Sequence, residues 1–452
     1  MERSETSPMN LPGIATPPEP HPSARAAAGE DFGKVVRRPP RFVVEPQRID
    51  ELVGIVRQAR GRGLNVAARG EGHSTNGQAQ AKDGIVVALR SMDSIHMVGP
   101  DQAIVEAGAT WRQVLRRTLA AGLTPPVLTD YLGLSVGGTL SVGGLSGSSF
   151  RYGAQVDHVT ELEVVTGSGM LEPCSPTRNP DLFQAVLAGL GQCGIIARAT
   201  IRLARAPASV RVFRLPYPDL ATMLSDEVLL VEEERFDHIL GVVAFESGNG
   251  WSCSIEAAKY DEAREAAVSD TALTSGLRCN HGAIRTEDRS YLGWVDRVSE
   301  RVELLETMGV WHLPHPWLDL FVPASAVGRL LETLLAQPME DDVGPLRVLL
   351  NPLRPDRLGT PLLRVPPGDV VFLCDVLRTA PAEEGAIRRM LDQNRDLFEL
   401  NRQLGGRHYS ISTITLCQPD WIRHFGDRWQ WLAAMKRRFD PDHLLTPGPG
   451  IF

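Results

Sequence analysis

Residues 134–153, LSVGGTLSVGGLSGSSFRYG, limit the fold more than any other stretch. Six of the twenty are glycine and six are serine or threonine. Neither a core strand nor an ordinary helix tolerates that content, because glycine loses the most conformational freedom on ordering. Such a stretch is a flexible linker or a backbone laid against a ligand. The strand-like VDHVTELEVVT resumes directly after it, which favours the ligand. A second stretch, ARGEGHSTNGQA (68–79), sets three glycines around His73. A histidine in so tight a turn can be a surface residue, a metal ligand, a base or a point of cofactor attachment.

At 452 residues the chain is long enough for two domains. Its 43% hydrophobic and 23% charged content is that of a globular protein. A net charge of -8 argues against a nucleic-acid or anionic-membrane surface. The basic run Lys436, Arg437 and Arg438 reads as a solvated face at a helix C-terminus. No apolar run reaches the roughly 18 residues of a membrane span. The N-terminal stretch 1–30 reads as a disordered arm without a signal pattern, so a cytoplasmic location is the default expectation. The six cysteines have no metal-site or disulfide spacing, and no metal site is expected.

Strands and helices alternate through the first 200 residues. NVAAR, DGIVVALRSM and QAIVEAGAT read as strands, RIDELVGIVRQARGRGL and WRQVLRRTLAAGL as helices. Gly189-x-Gly191-x-x-Gly194 matches the dinucleotide fingerprint formally, but a helix precedes it and a strand follows, the reverse of what that fold needs. Beyond residue 206, long strand-like runs and helices such as DEAREAAVSDTALTSGL and EEGAIRRMLDQNRDLFELNRQLGG predict an antiparallel sheet covered by helices on one face. WIRHFGDRWQWLAAMKRRFD reads as the last helix.

RGEGHSTNGQA, TDYLGLSVGGTLSVGGLSG, FRYGAQVDHVTELEVVTGSG, DLFQAVLAGLGQCGIIARATI, HPWLDLFVP and FDPDHLLTPGPGIF together resemble the cytokinin dehydrogenases. These are flavoproteins of the vanillyl-alcohol oxidase type, with a PCMH-type FAD-binding fold. The resemblance runs from about residue 31 to the C-terminus. It implies an α+β, two-domain fold, with an FAD domain of 31–205 plus 425–452 and a substrate domain of 206–424. It implies that Arg69, Gly70, Glu71, Gly72, His73 and Ser74 wrap the FAD pyrophosphate. His73 matches the histidine that carries the flavin through its 8α-methyl carbon. Residues 124–153 hold no cysteine, so a single covalent link is expected. Gln78, Ser135, Ser141, Leu145 and Ile196 match FAD-contacting positions.

Asp130 matches the catalytic aspartate that also stands beside the cofactor. A carboxylate there orients and deprotonates a substrate N–H or O–H while hydride leaves the adjacent carbon for flavin N5. The resemblance thus implies an FAD-dependent oxidase or dehydrogenase acting on CH-NH or CH-OH groups. Its partners would be a small-molecule substrate and oxygen or a quinone-like electron acceptor, with no nucleic acid or membrane.

The match fails on the substrate side. Leu240, in FDHILGVV, stands where the family has a purine-binding glutamate, and an unpaired purine donor costs roughly 1–3 kcal/mol on burial. Glu246 compensates only if the alignment slips. Pro449 replaces a flavin-contacting glutamine, and HYSISTITLCQPDW departs from the family's tyrosine-rich segment. Asn351 is a candidate pocket residue, and His315, Trp317 and Asp319 in the retained HPWLDLFVP stretch can face either pocket or solvent. The alternatives are a natural-product biosynthetic oxidase or cyclase, or a non-catalytic flavoprotein that sequesters a small aromatic molecule.

Overall fold

Short apolar runs alternate with glycine-bearing turns to build the first half of the molecule. The computed structural model describes residues 22–246, 250–261, 269–337, 341–345 and 347–452. Strands β1 (Phe42–Val44), β2 (Val66–Arg69) and β3 (Ile85–Ala88) form a small parallel sheet with β3 central. Then follow β4 (Ile95–Val98), β5 (Gln102–Glu106), the two-residue β6 (Leu123–Thr124), β7 (Val159–Val165), β8 (Leu171–Cys174) and β9 (Ile195–Arg202). All but β6 make an antiparallel sheet ordered β4-β5-β9-β7-β8, while β6 pairs with β10 (Ala204–Arg205).

The helix Ile49–Arg62 buries Leu52, Ile55, Val56 and Ala59 on one face. It stops at Gly63, whose φ of 62° lets its N–H return to Ala59 and Arg60 carbonyls. The chain end comes back to this region. Val66 N–H donates to the Leu444 carbonyl and Thr446 N–H to the Val66 carbonyl, both at 2.8 Å.

The second half is one eight-stranded antiparallel sheet. Its strands are β11 (Ser209–Tyr217), β12 (His238–Glu246), β13 (Gly250–Asp261), β14 (Arg285–Ser290), β15 (Leu318–Pro323), β16 (Arg347–Leu353), β17 (Val371–Leu377) and β18 (Arg407–His408). They are ordered β14-β11-β13-β12-β16-β17-β15-β18. Strand side chains alternate between faces. Ile239, Val243, Ile255, Val348, Leu350, Phe372 and Cys374 share the face covered by helices Leu220–Glu233, Ala324–Leu335 and Glu384–Gln403. The opposite face, turned away from those helices, carries Leu240 and the polar side chains His238, Glu256, Arg347, Asn351 and Asp375.

Several expectations need correction. Of the arm, residues 1–21 lie outside the described residues, but Pro22–Ala28 is a helix, and Arg25 Nε donates to the Pro40 carbonyl at 3.0 Å. The 134–153 stretch is not purely irregular, since Val136–Leu140 and Ser149–Tyr152 are single helical turns. Of DEAREAAVSDTALTSGL, residues 262–268 lie outside the described residues, Asp261 ends β13, and only Asp270–Thr274 is helical.

The last helix is two, Gln418–Phe425 and Trp429–Phe439, broken at Gly426 with φ 54°. Lys436 is not on a solvated face. It is buried, pairs with Asp440 at 2.6 Å, and donates to the Gln192 and Leu445 carbonyls at 2.9 and 3.1 Å. Among the described residues no helix is long and apolar enough to cross a membrane. All six cysteines are free thiols, four of them buried.

Candidate cofactor and substrate site

The loop leaving β2 lines a long cavity together with the 135–142 stretch, the 190–196 turn, residues 410–416 and the returning chain end. Gly70 is needed here because a Cβ would lie 1.9 Å from Ser135 Oγ, so the two glycine-rich stretches touch. Gly72 turns the loop at φ 74°. Among the described residues, five successive backbone N–H groups from Glu71 to Thr75 donate to no protein acceptor. Successive free N–H groups in a turn make a concavity for anionic oxygens. With the apolar Leu190, Ile195, Ile196 and Leu416 elsewhere on the wall, the cavity suits a ligand with an anionic middle and a flat apolar part. FAD is such a ligand, so the residues present fit it.

The loop is fastened from three sides. Phe32 N–H donates to the Gly72 carbonyl and Gly33 N–H to the Ser74 carbonyl. Buried Asp31 accepts from Gly77 N–H at 2.6 Å, although burial pushes its pKa up to about 6. Thr75 Oγ1 donates to the Ile411 carbonyl, Asn76 Nδ2 to the Ile414 carbonyl, and Gln78 Nε2 to the Ser410 carbonyl. The altered HYSISTITLCQPDW stretch therefore belongs to the wall of this cavity.

His73 also lines the cavity, and its ring stacks on Phe32 with centroids 4.1 Å apart. His315 stacks on the other side of Phe32 at 4.3 Å, with Trp311 and Trp317 at 4.6 and 5.0 Å. Burial, with a smaller push from His315, brings the His73 pKa down to about 3, so the ring is neutral at physiological pH. Among the described residues its nitrogens meet no hydrogen-bond partner. A neutral imidazole with free nitrogens is a competent nucleophile.

The remaining candidates divide. Gly70, Glu71, Gly72, Ser74, Gln78, Ser135, Ser141 and Ile196 line the cavity with His73. Ser141 gives its hydroxyl to the Gly137 carbonyl at 2.7 Å, so any contribution to a ligand comes from its backbone or an oxygen lone pair. Arg69, Leu145 and Asp130 are not on the wall. The Arg69 guanidinium bonds to the Glu30 carbonyl, and Leu145 is core. Leu190, Gly191 and Gly194 do line the cavity, reached by a helix-then-strand connection rather than a dinucleotide fold. Pro449 lines it too, and its carbonyl accepts from Trp421 Nε1.

Asp130 instead belongs to a cluster at the polar face of the large sheet. Its Oδ1 pairs with Arg297 Nη2 at 2.9 Å and faces His238 Nε2 at 3.6 Å. Arg297 also holds Glu256 at 3.1 Å and lies 4.1 Å over the Trp294 ring. Burial alone would raise the Asp130 pKa, but the Arg297 guanidinium and His238 together hold the carboxyl well below the usual range.

Glu256 is directly opposite Leu240 across the β12–β13 pair. The carboxylate missing at 240 thus stands one strand away. Glu246 contributes no described side chain. Asp319 and Asp375 are cross-strand partners, and desolvation raises both, Asp319 to about 7 and Asp375 well above the ordinary range. Asn351 is buried and donates to Asp375 at 3.0 Å.

Asp31, Phe32, Arg38, His238, Glu256 and Arg297 escape sequence reasoning. Nothing local marks them, because each acts through a partner between 39 and 410 residues away in the chain, Arg38 by donating to the Gly77 and Gly448 carbonyls.

Comparison with known proteins gives a consistent result. Residues 40–175 match the FAD binding domain family, and residues 248–452 match the family described as cytokinin dehydrogenase 1, FAD and cytokinin binding. An uncharacterized oxidoreductase, ORF5 in the fasciation locus of Rhodococcoides fascians, is 39% identical over 93% of this chain and 96% of its own. Cytokinin dehydrogenase 8 of Oryza sativa subsp. indica is 37% identical over 99% and 94% of the two chains. Cytokinin dehydrogenase 9 of Oryza sativa subsp. japonica is 35% identical over 94% and 89%.

Proposed function

The chain belongs to the cytokinin dehydrogenase family of FAD-dependent oxidoreductases, and from that premise we propose that it oxidises a small molecule at a C–H beside an amine or hydroxyl. The observation that carries this reading is the run of free N–H groups from Glu71 to Thr75 beside a neutral, unpartnered His73. These residues would hold FAD, with His73 as its single covalent anchor and the 31–205 plus 425–452 part as its domain. FAD, when bound, supplies the hydride acceptor and passes electrons on to oxygen or a quinone-like acceptor.

The chain's own share of the chemistry falls to the cluster on the 206–424 side. Asp130, kept ionised by Arg297, accepts a hydrogen bond from the substrate N–H or O–H and so orients the carbon to be oxidised. A carboxylate held so firmly ionised is a weak base. Its part is therefore to orient the substrate, and His238 Nε2, which faces the same oxygen at 3.6 Å, helps to hold the carboxylate ionised and in place. Leu240 and the guanidinium groups around it support a substrate other than a free neutral purine.

The test is an absorbance spectrum of the purified protein before and after acid precipitation, then anaerobic addition of isopentenyladenine and other amines and alcohols. Yellow colour that stays with the precipitate, and is lost to the supernatant in His73→Ala, is expected. Bleaching by at least one of these compounds is expected as well. A colourless protein, or one that no amine or alcohol bleaches, refutes the proposal.

A further inference from the structure

The polar face of the eight-stranded sheet is not packed solid. Strands β12, β16 and β17 are internal to the sheet, yet Val242, Ala244, Leu349 and Leu377 are half-exposed. Their neighbours on the helix-covered face are buried. This face therefore borders open space, with Asp130 and Arg297 at its edge.

Arginines surround that space in excess. Arg214 is opposite Glu256 in the sheet, and Arg347 is opposite Ala244 on the same face as Leu240. The helix Arg297–Thr307 brings Arg297 to Asp130 and Glu256, and Arg301 follows one turn later on the same side. Arg301 and Arg347 are both half-buried, and among the described residues neither side chain has a hydrogen bond or ion pair. Glu256, the acid whose charge reaches Arg347, is already bonded to Arg297. Burial and the like charge of Arg347 pull the Arg301 pKa down to about 10. Half-buried guanidiniums that, among the described residues, hold no ion pair of their own are costly unless a ligand supplies the charge.

We propose that Arg301 and Arg347 form an anion subsite that takes a phosphate or carboxylate carried by the substrate, beyond Arg297 from the reacting carbon. The planar forks of two arginines match such groups. The inference rests on the reading that the substrate lies beside Asp130, and it narrows the substrate class to anionic compounds. Ordinary solvated arginines are the competing account, and they predict no ligand preference.

Calorimetric titration of the flavin-loaded protein at low ionic strength decides between them. Adenosine is the neutral probe, adenosine 5′-monophosphate the phosphate probe and 9-carboxymethyladenine the carboxylate probe. One of the anionic probes should bind about tenfold or more tightly than adenosine, and which one does so identifies the group. The preference should fall to within about twofold in Arg301→Gln/Arg347→Gln and shrink as salt is added. Arg301→Lys/Arg347→Lys, which keeps the charges, should retain part of it, and is the informative variant if the glutamine pair fails to fold. Equal affinities in the wild type, no binding of either anionic probe, or a preference that survives both pairs of substitutions overturns the subsite. Bleaching of the flavin by neutral isopentenyladenine with no anion preference sinks this inference and leaves the proposed oxidation standing. An anion preference in a protein that nothing bleaches does the reverse.

Discussion

Lys436→Met is the sharpest test of how the chain end holds the cofactor cavity together. The ammonium of Lys436 binds Asp440 and the carbonyls of Gln192 and Leu445, and the two charged side chains are 2% and 0% exposed. It thereby ties the 190–196 turn to the returning chain, and both line the cavity through Leu190, Gly191 and Thr446. Methionine keeps the volume and removes all three bonds. Breaking one side of a buried pair costs about 3–5 kcal/mol, and burial this complete leaves no solvent to soften it. An exposed lysine would give a change within about 0.5 kcal/mol.

The assay is urea unfolding followed by tryptophan fluorescence and flavin absorbance. Lys436→Met/Asp440→Asn should recover part of the loss, because it removes the stranded charge. It cannot recover all of it, since the Asp440 carboxylate also accepts from Leu444 and Leu445 N–H. A Lys436→Met protein within about 1 kcal/mol of wild type would refute the reasoning.

Arg297→Gln removes the guanidinium that holds Asp130 ionised, so burial would push that carboxyl upward. Flavin reduction, level with pH in the wild type from neutral down into the mildly acid range, should then fall as the pH drops through that range. An unchanged pH profile would count against the pair. Glu227 is buried and desolvation raises it well above 4.5, against one hydrogen bond from Gly241 N–H. A carboxyl raised in the folded state contributes stability below its unfolded pKa and loses it as the pH rises towards the folded one. Glu227→Gln should therefore flatten the decline of the unfolding free energy between pH 5 and 8. Gly448→Ala would set a Cβ 2.0 Å from the Gly77 carbonyl oxygen, a backbone atom that cannot swing aside. A cost of about 1–3 kcal/mol and a reduced flavin content in the purified protein are expected, the latter read from the ratio of flavin to protein absorbance.

The cofactor side of this molecule is legible in the sequence because its demands fall on the backbone. Gly70 and Gly72 announce a turn and a close approach, and the density of glycine and serine at 134–153 leaves little room for a core. The helix-then-strand order around Gly189 and Gly194 rules out the dinucleotide fold by pattern alone. What the sequence hides is pairing. Lys436 in a run of three cations looks solvated, and only the approach of Gln192, 244 residues earlier, shows that it is buried. Asp31 sits beside a polar arm, so its bond to Gly77 has no local sign. The break at Gly426 is hidden by flanking aromatic residues that keep helical spacing on both sides.

The same contrast bears on how substrate preference changes in such a fold. A cradle of N–H groups cannot be rebuilt by point substitution, because each group depends on the path of the loop and on fasteners such as Asp31 and Thr75. Charges on a sheet face can be moved. Directly opposite residues on paired strands have Cβ atoms about 4.5–5.5 Å apart, so a carboxylate absent at 240 and present at 256 remains in the same neighbourhood. Its meaning changes all the same, because Glu256 is bound to Arg297 and so supports a cation instead of accepting a hydrogen bond from the ligand. The edge of the polar face then offers guanidinium N–H donors where two free carboxylates would have offered acceptors. A substrate that suits it would bring acceptors or negative charge of its own, and under the proposed oxidation Asp130, still paired with Arg297, would supply the hydrogen bond that orients the carbon to be oxidised.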